Sequence, residues 1–542
     1  MSEEAQKDVN FFLEAIGTGP AQLHVALLCG ILFFCYGAEV LALSVINSTL
    51  GSAWYSPVGR GMLMSATLLG FAAGGISVGA LADRYGRKSP NLALGGIIVG
   101  NGASMFAPNY WHMLGTRAFV GFSMGWGIPS WLSLASELSP IAARAPLQAA
   151  GALFSVFGGV YVCVCVILLD PHMHIEWRRL LLLATIPPLV TLLPAAMLLP
   201  ESPRWAFLHG QTDRARRILL KMARQNGKRI SALEDERAEW AAPEEDTRGG
   251  PTAYMVIFSR KYSFTTAILC YSTLACNLCM YGLTYSLPQC LPEMEKASNV
   301  AEGWQLLIGE AVSSLNAILV LYADVMPRIL SQFCSLLVTS AALLLFALFL
   351  FFRHAGATFA VVAAKFAGRC AFNFTYFYTA ELYPTSCRAS GVGLAISFGR
   401  IGGIISPLLF EWLVAAVEDH PVVQKHPGGK FSAYFLLMAV CLLVDALLVL
   451  CLPFETRLQA LEETYVDVRL DKRFRVPRLG RRFSNLDKMV DDWQYAWRRS
   501  SSMPPVSLPY ARVGTGGHLD RRSSLPVALD ARRVEGYRTC GE

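Results

Sequence analysis

Apolar residues in this chain do not alternate with polar ones at short period. They run in blocks of about 18 or more, each long enough to cross a hydrocarbon layer of roughly 30 Å as a helix. Reading for such blocks predicts twelve spans, at residues 23–46, 61–82, 91–108, 113–135, 147–169, 179–199, 263–286, 304–323, 330–352, 357–380, 390–415 and 432–452. A polar stretch separates the first six from the last six. The predicted organisation is a cytoplasmic N-terminal segment (1–22), a six-helix bundle (23–199), a cytoplasmic central loop with amphipathic helices (200–262), a second six-helix bundle (263–453) and a basic, largely disordered cytoplasmic tail (454–542). The fold class expected is an all-α membrane protein of twelve transmembrane helices in two six-helix pseudo-repeats. Within the central loop, residues 213–225 (DRARRILLKMARQ) place apolar residues at helical spacing among basic ones, the pattern of a helix lying on a membrane surface.

Composition supports this pattern. Of 542 residues, 54% are hydrophobic and 16% charged, where soluble domains average about 25% charged. That excludes an ordinary soluble enzyme, a disordered chain and a protein that binds nucleic acid through a basic surface. Net charge is +7, and residues 458–542 alone carry 16 Lys and Arg against 11 Asp and Glu. The central loop holds twelve Lys and Arg. Both basic segments favour the cytoplasmic side, and an even number of spans puts both termini there. The 14 cysteines lie mostly inside apolar runs, as small hydrophobes rather than a disulfide framework. Cys276 and Cys279 form a C-x-x-C with no histidine near it, so no metal site is expected. The N-terminus is acidic, unlike a cleavable signal, and no cofactor motif or nucleophile–base signature is present.

The two halves repeat each other. ELSPIAAR carries Glu137, Pro140 and Arg144; ELYPTSCR carries Glu381, Pro384 and Arg388, each 244 residues further on. A looser copy, 241 residues apart, relates Asp83 and Arg87 to Asp324 and Arg328. Paired half-repeats suit a transporter whose halves rock about a central site.

Residues 79–90, GALADRYGRKSP, lie between the second and third spans and match the loop signature of the major facilitator superfamily. PESPRW (200–205), ELYPTSCRASGVG (381–393), SFGRIGGIISP (397–407) and AIGTGPAQLH (15–24) resemble the organic cation and anion transporters and the synaptic-vesicle-protein-like branch. The large outer loop of the organic-ion transporters is absent, the second loop signature is reduced to DVMPR (324–328), and the sugar-porter ending is PFETR (453–457). The resemblance implies a secondary transporter working by alternating access, multi-pass in the plasma membrane or a vesicle membrane, monomeric, with a small organic solute, a coupling proton and the lipid bilayer as its partners. A cation, zwitterion or sugar carrier, and a non-transporting receptor or scaffold, are the alternatives.

Charges within spans single out candidate residues, since burying them costs several kcal/mol unless they are paired or wet. Arg400 is expected near the midplane of the eleventh span. The resemblance implies that this position faces the cavity and that a basic residue there marks an anion carrier. Lys365 either adds a second positive charge or pairs with Glu310 or Asp445. Glu39 is either a proton-loading carboxyl or a fixed counter-ion. Tyr281, Tyr285, Phe374 and Tyr376 are candidates to stack on a flat solute. Gly79, Asp83, Arg84, Gly86, Arg87, Glu137, Arg144, Glu381 and Arg388 would form a conformational latch at the cytoplasmic face.

Overall fold

The computed structural model describes residues 9–50, 56–85, 89–230, 253–316, 326–383, 387–426 and 428–453. These all lie in one compact unit, residues 1–490; the second unit, residues 491–542, falls outside the described residues. Regular structure among them is helical. The first half contains α1 (Val9–Ile16), α2 (Pro20–Thr49), α3 (Pro57–Tyr85), α4 (Ser89–Met105), α5 (Tyr110–Glu137), α6 (Ile141–Leu169) and α7 (Trp177–Leu198). The connecting region contains α8 (Pro203–Leu208), α9 (Thr212–Gln225) and α10 (Ala253–Ile257). The second half contains α11 (Ser263–Ser298), α12 (Glu302–Ser314), α13 (Arg328–Phe351), α14 (Ala357–Leu382), α15 (Arg388–Glu418), α16 (Pro421–Lys425) and α17 (Gly429–Val449).

Eleven of the twelve expected spans fall on helices of 17 residues or more, and the described part of the span expected at 304–323 falls on the 13-residue α12. Seven helical segments among the described residues are long and apolar enough by themselves to cross a membrane. The others carry more polar groups or are partly outside the described residues, as for the span expected at 304–323. Packing repeats with the sequence. In the first half α2 packs on α6 and α4 on α7 and α5; in the second α11 packs on α15 and α13 on α17 and α14. Close approach needs small residues at the crossings. A Cβ on Gly37 would collide with the Ser155 carbonyl, and one on Gly158 with the Phe34 carbonyl, so α2 and α6 meet backbone to backbone.

Two local features differ from expectation. Residues 9–16 form a helix, α1, where only a polar segment was expected. Its Val9, Phe12, Leu13 and Ile16 are buried in one cluster with Leu219, Met222 and Ala223 of α9 and Leu138 after α5. The apolar face of α9 therefore packs on α1. The Asn226 side chain fixes the joint: its Oδ1 accepts from Ala21 N at 2.9 Å and its Nδ2 donates to Gln22 Oε1 at 2.9 Å. α11 also continues twelve residues past its expected end, through Pro288 and Pro292.

Candidate functional site

The two bundles meet along α3 with α15, α6 with α12, and α2 with α11. Gly61 packs on the Pro407 carbonyl, Ser65 Oγ donates to Ile404 O at 2.7 Å, and Arg60 Nη1 donates to Gln289 Oε1 at 2.9 Å. Gly303 N donates to Pro171 O at 2.8 Å, and His172 Nδ1 lies 2.8 Å from Glu295 Oε1. These contacts lie at the end of the bundles where α2 finishes and α3 begins. They continue inward to a pair of tyrosine hydroxyls, Tyr36 and Tyr281, about half-way along α2 and α11.

Arg400 stands at that level, about 18 Å along α15 from Arg388 at 1.5 Å per residue. Its Nη1 donates to Tyr281 Oη at 2.8 Å, and its guanidinium carbon lies 4.2 Å from the centre of the Phe71 ring. Beside it Asn277 Nδ2 donates to Tyr376 Oη at 3.1 Å, and Tyr376 stacks on Phe372 with centroids 4.5 Å apart. Among the described residues no carboxylate lies within ion-pair distance of Arg400. Tyr36 and Phe71 come from the first bundle, and Asn277, Tyr281, Tyr376 and Arg400 from the second. A solute here would touch both moving parts. An unpaired guanidinium fork among aromatic faces can hold a carboxylate by two parallel hydrogen bonds and stack on a flat ring.

Several of the other ionised groups in the spans have partners, whereas Arg369 on α14 and Asp445 on α17 have no ion pair among the described residues. Glu39 on α2 is 3% exposed; its Oε2 lies 3.4 Å from Arg117 Nη1, and Asn101 Nδ2 donates to its Oε1. Arg117 on α5 also donates to Asn101 Oδ1 at 2.6 Å, and from Nε and Nη2 to Ser104 Oγ at 3.0 and 2.6 Å. Glu39 is thus set against Arg117 and not Arg400. Lys365 on α14 is buried and paired with Glu310 on α12. Tyr285 is fully buried and donates to Glu411 Oε1 at 2.6 Å, and Phe374 is buried against Phe377. Of the six candidate binding residues, Arg400, Tyr281 and Tyr376 come together. Lys365 and Tyr285 are held elsewhere by partners 55 and 126 residues away, and Phe374 packs on Phe377 one turn along its own helix.

At the other end of the bundles, where α2 and α11 begin, Arg328 Nη2 and Nε donate to Glu381 Oε1 and Oε2 at 2.7 and 3.1 Å, a bidentate pair joining α13 to α14. Arg388 Nε donates to Tyr383 O at 3.2 Å, tying the start of α15 to the turn after α14. Glu137 is the last residue of α5. Gly79, Asp83 and Arg84 lie in the last turns of α3 and Arg144 in the first turn of α6. Gly86 and Arg87 lie outside the described residues. At the opposite end a cavity of about 670 Å³ opens between the bundles, lined by Arg60, His172, Gln289, Glu302, Glu411 and Lys430 among others.

Comparison with known proteins agrees with this architecture. The profile of the sugar (and other) transporter family matches residues 36–467. The chain belongs to that family, within the major facilitator superfamily. The synaptic vesicle 2-related protein of Rattus norvegicus is 26% identical over 83% of this chain and 82% of its own length. The 4-hydroxybenzoate transporter PcaK of Pseudomonas putida is 27% identical over 73% and 87%, and the organic cation/carnitine transporter 7 of Arabidopsis thaliana 27% identical over 82% and 93%. Among solved structures, the partially occluded inward open form of the xylose transporter XylE from E. coli superposes with a TM-score of 0.62 at 16% identity, over 82% of this chain and 100% of that one.

The chain is thus a multi-pass membrane transporter and not an enzyme. Sequence reasoning missed three residues of this transporter's central constellation: Tyr36, Phe71 and Asn277. Tyr36 and Phe71 sit in apolar runs with no charge to mark them. Their role depends on facing α11 and α15 across the bundle interface, which residue spacing does not encode.

Proposed function

We propose that this protein carries a small organic anion, with a carboxylate and an aromatic or otherwise flat body, across its membrane by alternating access coupled to protons. The observation that carries the reading is Arg400: a mid-span cation, at the level where both bundles meet, with aromatic neighbours and no carboxylate in ion-pair range among the described residues. Glu39, Glu310 and Glu411 each have partners, which leaves an organic cation without an open carboxylate at this level. A relative named for 4-hydroxybenzoate, an aromatic carboxylate, is consistent with this. A relative named for organic cations and carnitine supports the rival reading of a cation or zwitterion carrier.

In the working cycle, the contacts between the bundles near the finish of α2 close the path beneath the cavity at that end, and the opposite end, read as cytoplasmic, admits solute to Arg400. Arg328–Glu381 and, by the repeat, Arg87 with Glu137 hold or release the cytoplasmic ends as the bundles rock. The proton resides at Glu39. Protonation there leaves Arg117 with Asn101 and Ser104, so the cation does not become unsatisfied when its carboxylate is neutralised. The test is uptake of labelled aromatic carboxylates and quaternary amines into proteoliposomes with an imposed proton gradient. Accumulation of the anions alone supports the reading; accumulation of the amines alone overturns it.

A further inference from the structure

Four acidic side chains inside the spans are almost fully buried, and three of them have a cation or a set of donors. Glu39 faces Arg117 and Asn101; Glu310 faces Lys365; Glu411 accepts from Tyr285 and, at 3.2 Å, from Gln289 Nε2. Asp445 on α17 is different. It has no measurable exposure, and no cation lies within ion-pair range of it among the described residues. Its Oδ1 takes the Ser272 hydroxyl at 2.5 Å, and its Oδ2 takes nothing. A second orphan flanks the same serine. Gln332 on α13, equally buried, donates from Nε2 to Ser272 Oγ at 3.1 Å and to Thr375 Oγ1 at 2.9 Å, while its Oε1 has no donor. The cluster therefore holds two acceptor oxygens in excess of its donors.

The surroundings supply no ionised compensation. The titratable groups against Asp445 are Tyr271 and Cys276 on α11 and Cys441 on its own helix. Tyr271 donates to Cys441 O at 3.1 Å, and Cys276 Sγ contacts Thr375 Oγ1 at 3.6 Å. From α13 the facing group is the Gln332 amide, and from α14 the Thr375 hydroxyl. The nearest cation along α13 is Arg328, one turn before Gln332, and it is committed to Glu381. An isolated buried carboxylate is among the most costly groups a protein can hold, and the common resolution is to neutralise it.

We propose that Asp445 is a proton-binding site of the second bundle, separate from Glu39. One proton taken from the aqueous side converts the carboxylate to a neutral acid and adds the donor that the cluster lacks. The site lies four residues, about 6 Å, from the end of α17. Gln332 links it to the helix that bears the Arg328–Glu381 latch. Loss of the proton leaves an uncompensated charge joined through Ser272 to Gln332, which stands one turn from Arg328, so proton occupancy and latch geometry are linked.

The test is infrared difference spectroscopy on the full chain in liposomes at neutral pH, wild type against Asp445→Asn. The expected result is loss, in the variant, of one protonated-carboxyl carbonyl band that shifts in D2O, while Glu39→Gln keeps that band. The band should bleach reversibly as pH is raised. Ser272→Ala, which keeps the acid and removes its single hydrogen bond, should shift the band without abolishing it, and stands in if Asp445→Asn does not fold. Carboxylate stretches in place of the carbonyl band would overturn the proposal. So would a band that persists at every pH where the protein stays folded, or one that responds to sodium as strongly as to protons.

Discussion

Glu39 and Arg117 form one ion pair, yet their environments predict unequal consequences when each is removed. Glu39→Gln leaves a buried guanidinium that still donates to Asn101 Oδ1 at 2.6 Å and to Ser104 Oγ at 2.6 and 3.0 Å. The lost contact is the long one, 3.4 Å, and glutamine keeps an acceptor at the site. The expected cost is about 1–3 kcal/mol, the range for a charge-assisted hydrogen bond. Arg117→Gln leaves a carboxylate that is 3% exposed with Asn101 as its remaining donor. Removing one member of a buried pair in that way costs about 3–5 kcal/mol. Thermal unfolding of the purified variants, followed by tryptophan fluorescence in one detergent, should rank wild type above Glu39→Gln and that above Arg117→Gln. Transport should separate them further. Glu39→Gln should keep solute-for-solute exchange and lose acceleration by an inward proton gradient. Equal destabilisation by the two changes, or an unaltered response of Glu39→Gln to the gradient, would refute the reasoning.

The latch pair predicts an interaction energy of about 0.5–3 kcal/mol in a double-mutant cycle of Arg328→Gln and Glu381→Gln, read by thermal stability; a value indistinguishable from zero removes the pair from the account. Gly158→Ala should cost about 1–3 kcal/mol by overpacking against the Phe34 carbonyl, whereas Gly102→Ala, with nothing within 4 Å of the new methyl, should be near neutral. Equal effects would contradict the backbone contact of α2 and α6. At the start of α12, burial, then the Glu295 charge, push the Glu302 carboxyl up to about 7. Its neutral form suits the closed seam, so rising pH adds negative charge beside Glu295 and Asp170 and loosens the seam as it passes about 7. Spin labels at Ser56 and Glu418 should move apart over that range, and Glu302→Gln should abolish the change; an unchanged response in the variant would acquit Glu302.

Much of this architecture is legible in the amino-acid sequence because bilayer helices write their length into it, and because the internal repeat aligns Glu137 with Glu381 and Arg87 with Arg328. The Arg328–Glu381 pair joins one residue from each repeated motif, but the alignment does not show that the two meet, and Arg328 is not among the expected latch residues. Charges inside spans are legible as candidates and not as roles. Lys365 and Arg400 look alike in sequence, but Glu310, 55 residues from Lys365, satisfies one while the other stays open. Tyr285 and Tyr281 differ by one helical turn, yet one is locked to Glu411 and the other bonds Arg400. The helix at residues 9–16 is hidden by its short length; only the apolar face of α9 gives it a reason to fold.

The central claim is that Arg400 recognises the negative charge of the solute, and competition at that residue tests it most directly. Wild type, Arg400→Lys and Arg400→Gln would be reconstituted and assayed for uptake of a labelled aromatic carboxylate and a labelled quaternary amine. Attraction between a guanidinium and a carboxylate is several-fold stronger in a span than in water, and lysine cannot copy the two-pronged hydrogen bond. The account predicts anion uptake by wild type, weaker apparent affinity with Arg400→Lys, and loss with Arg400→Gln. Anion uptake by Arg400→Gln with wild-type affinity would contradict it.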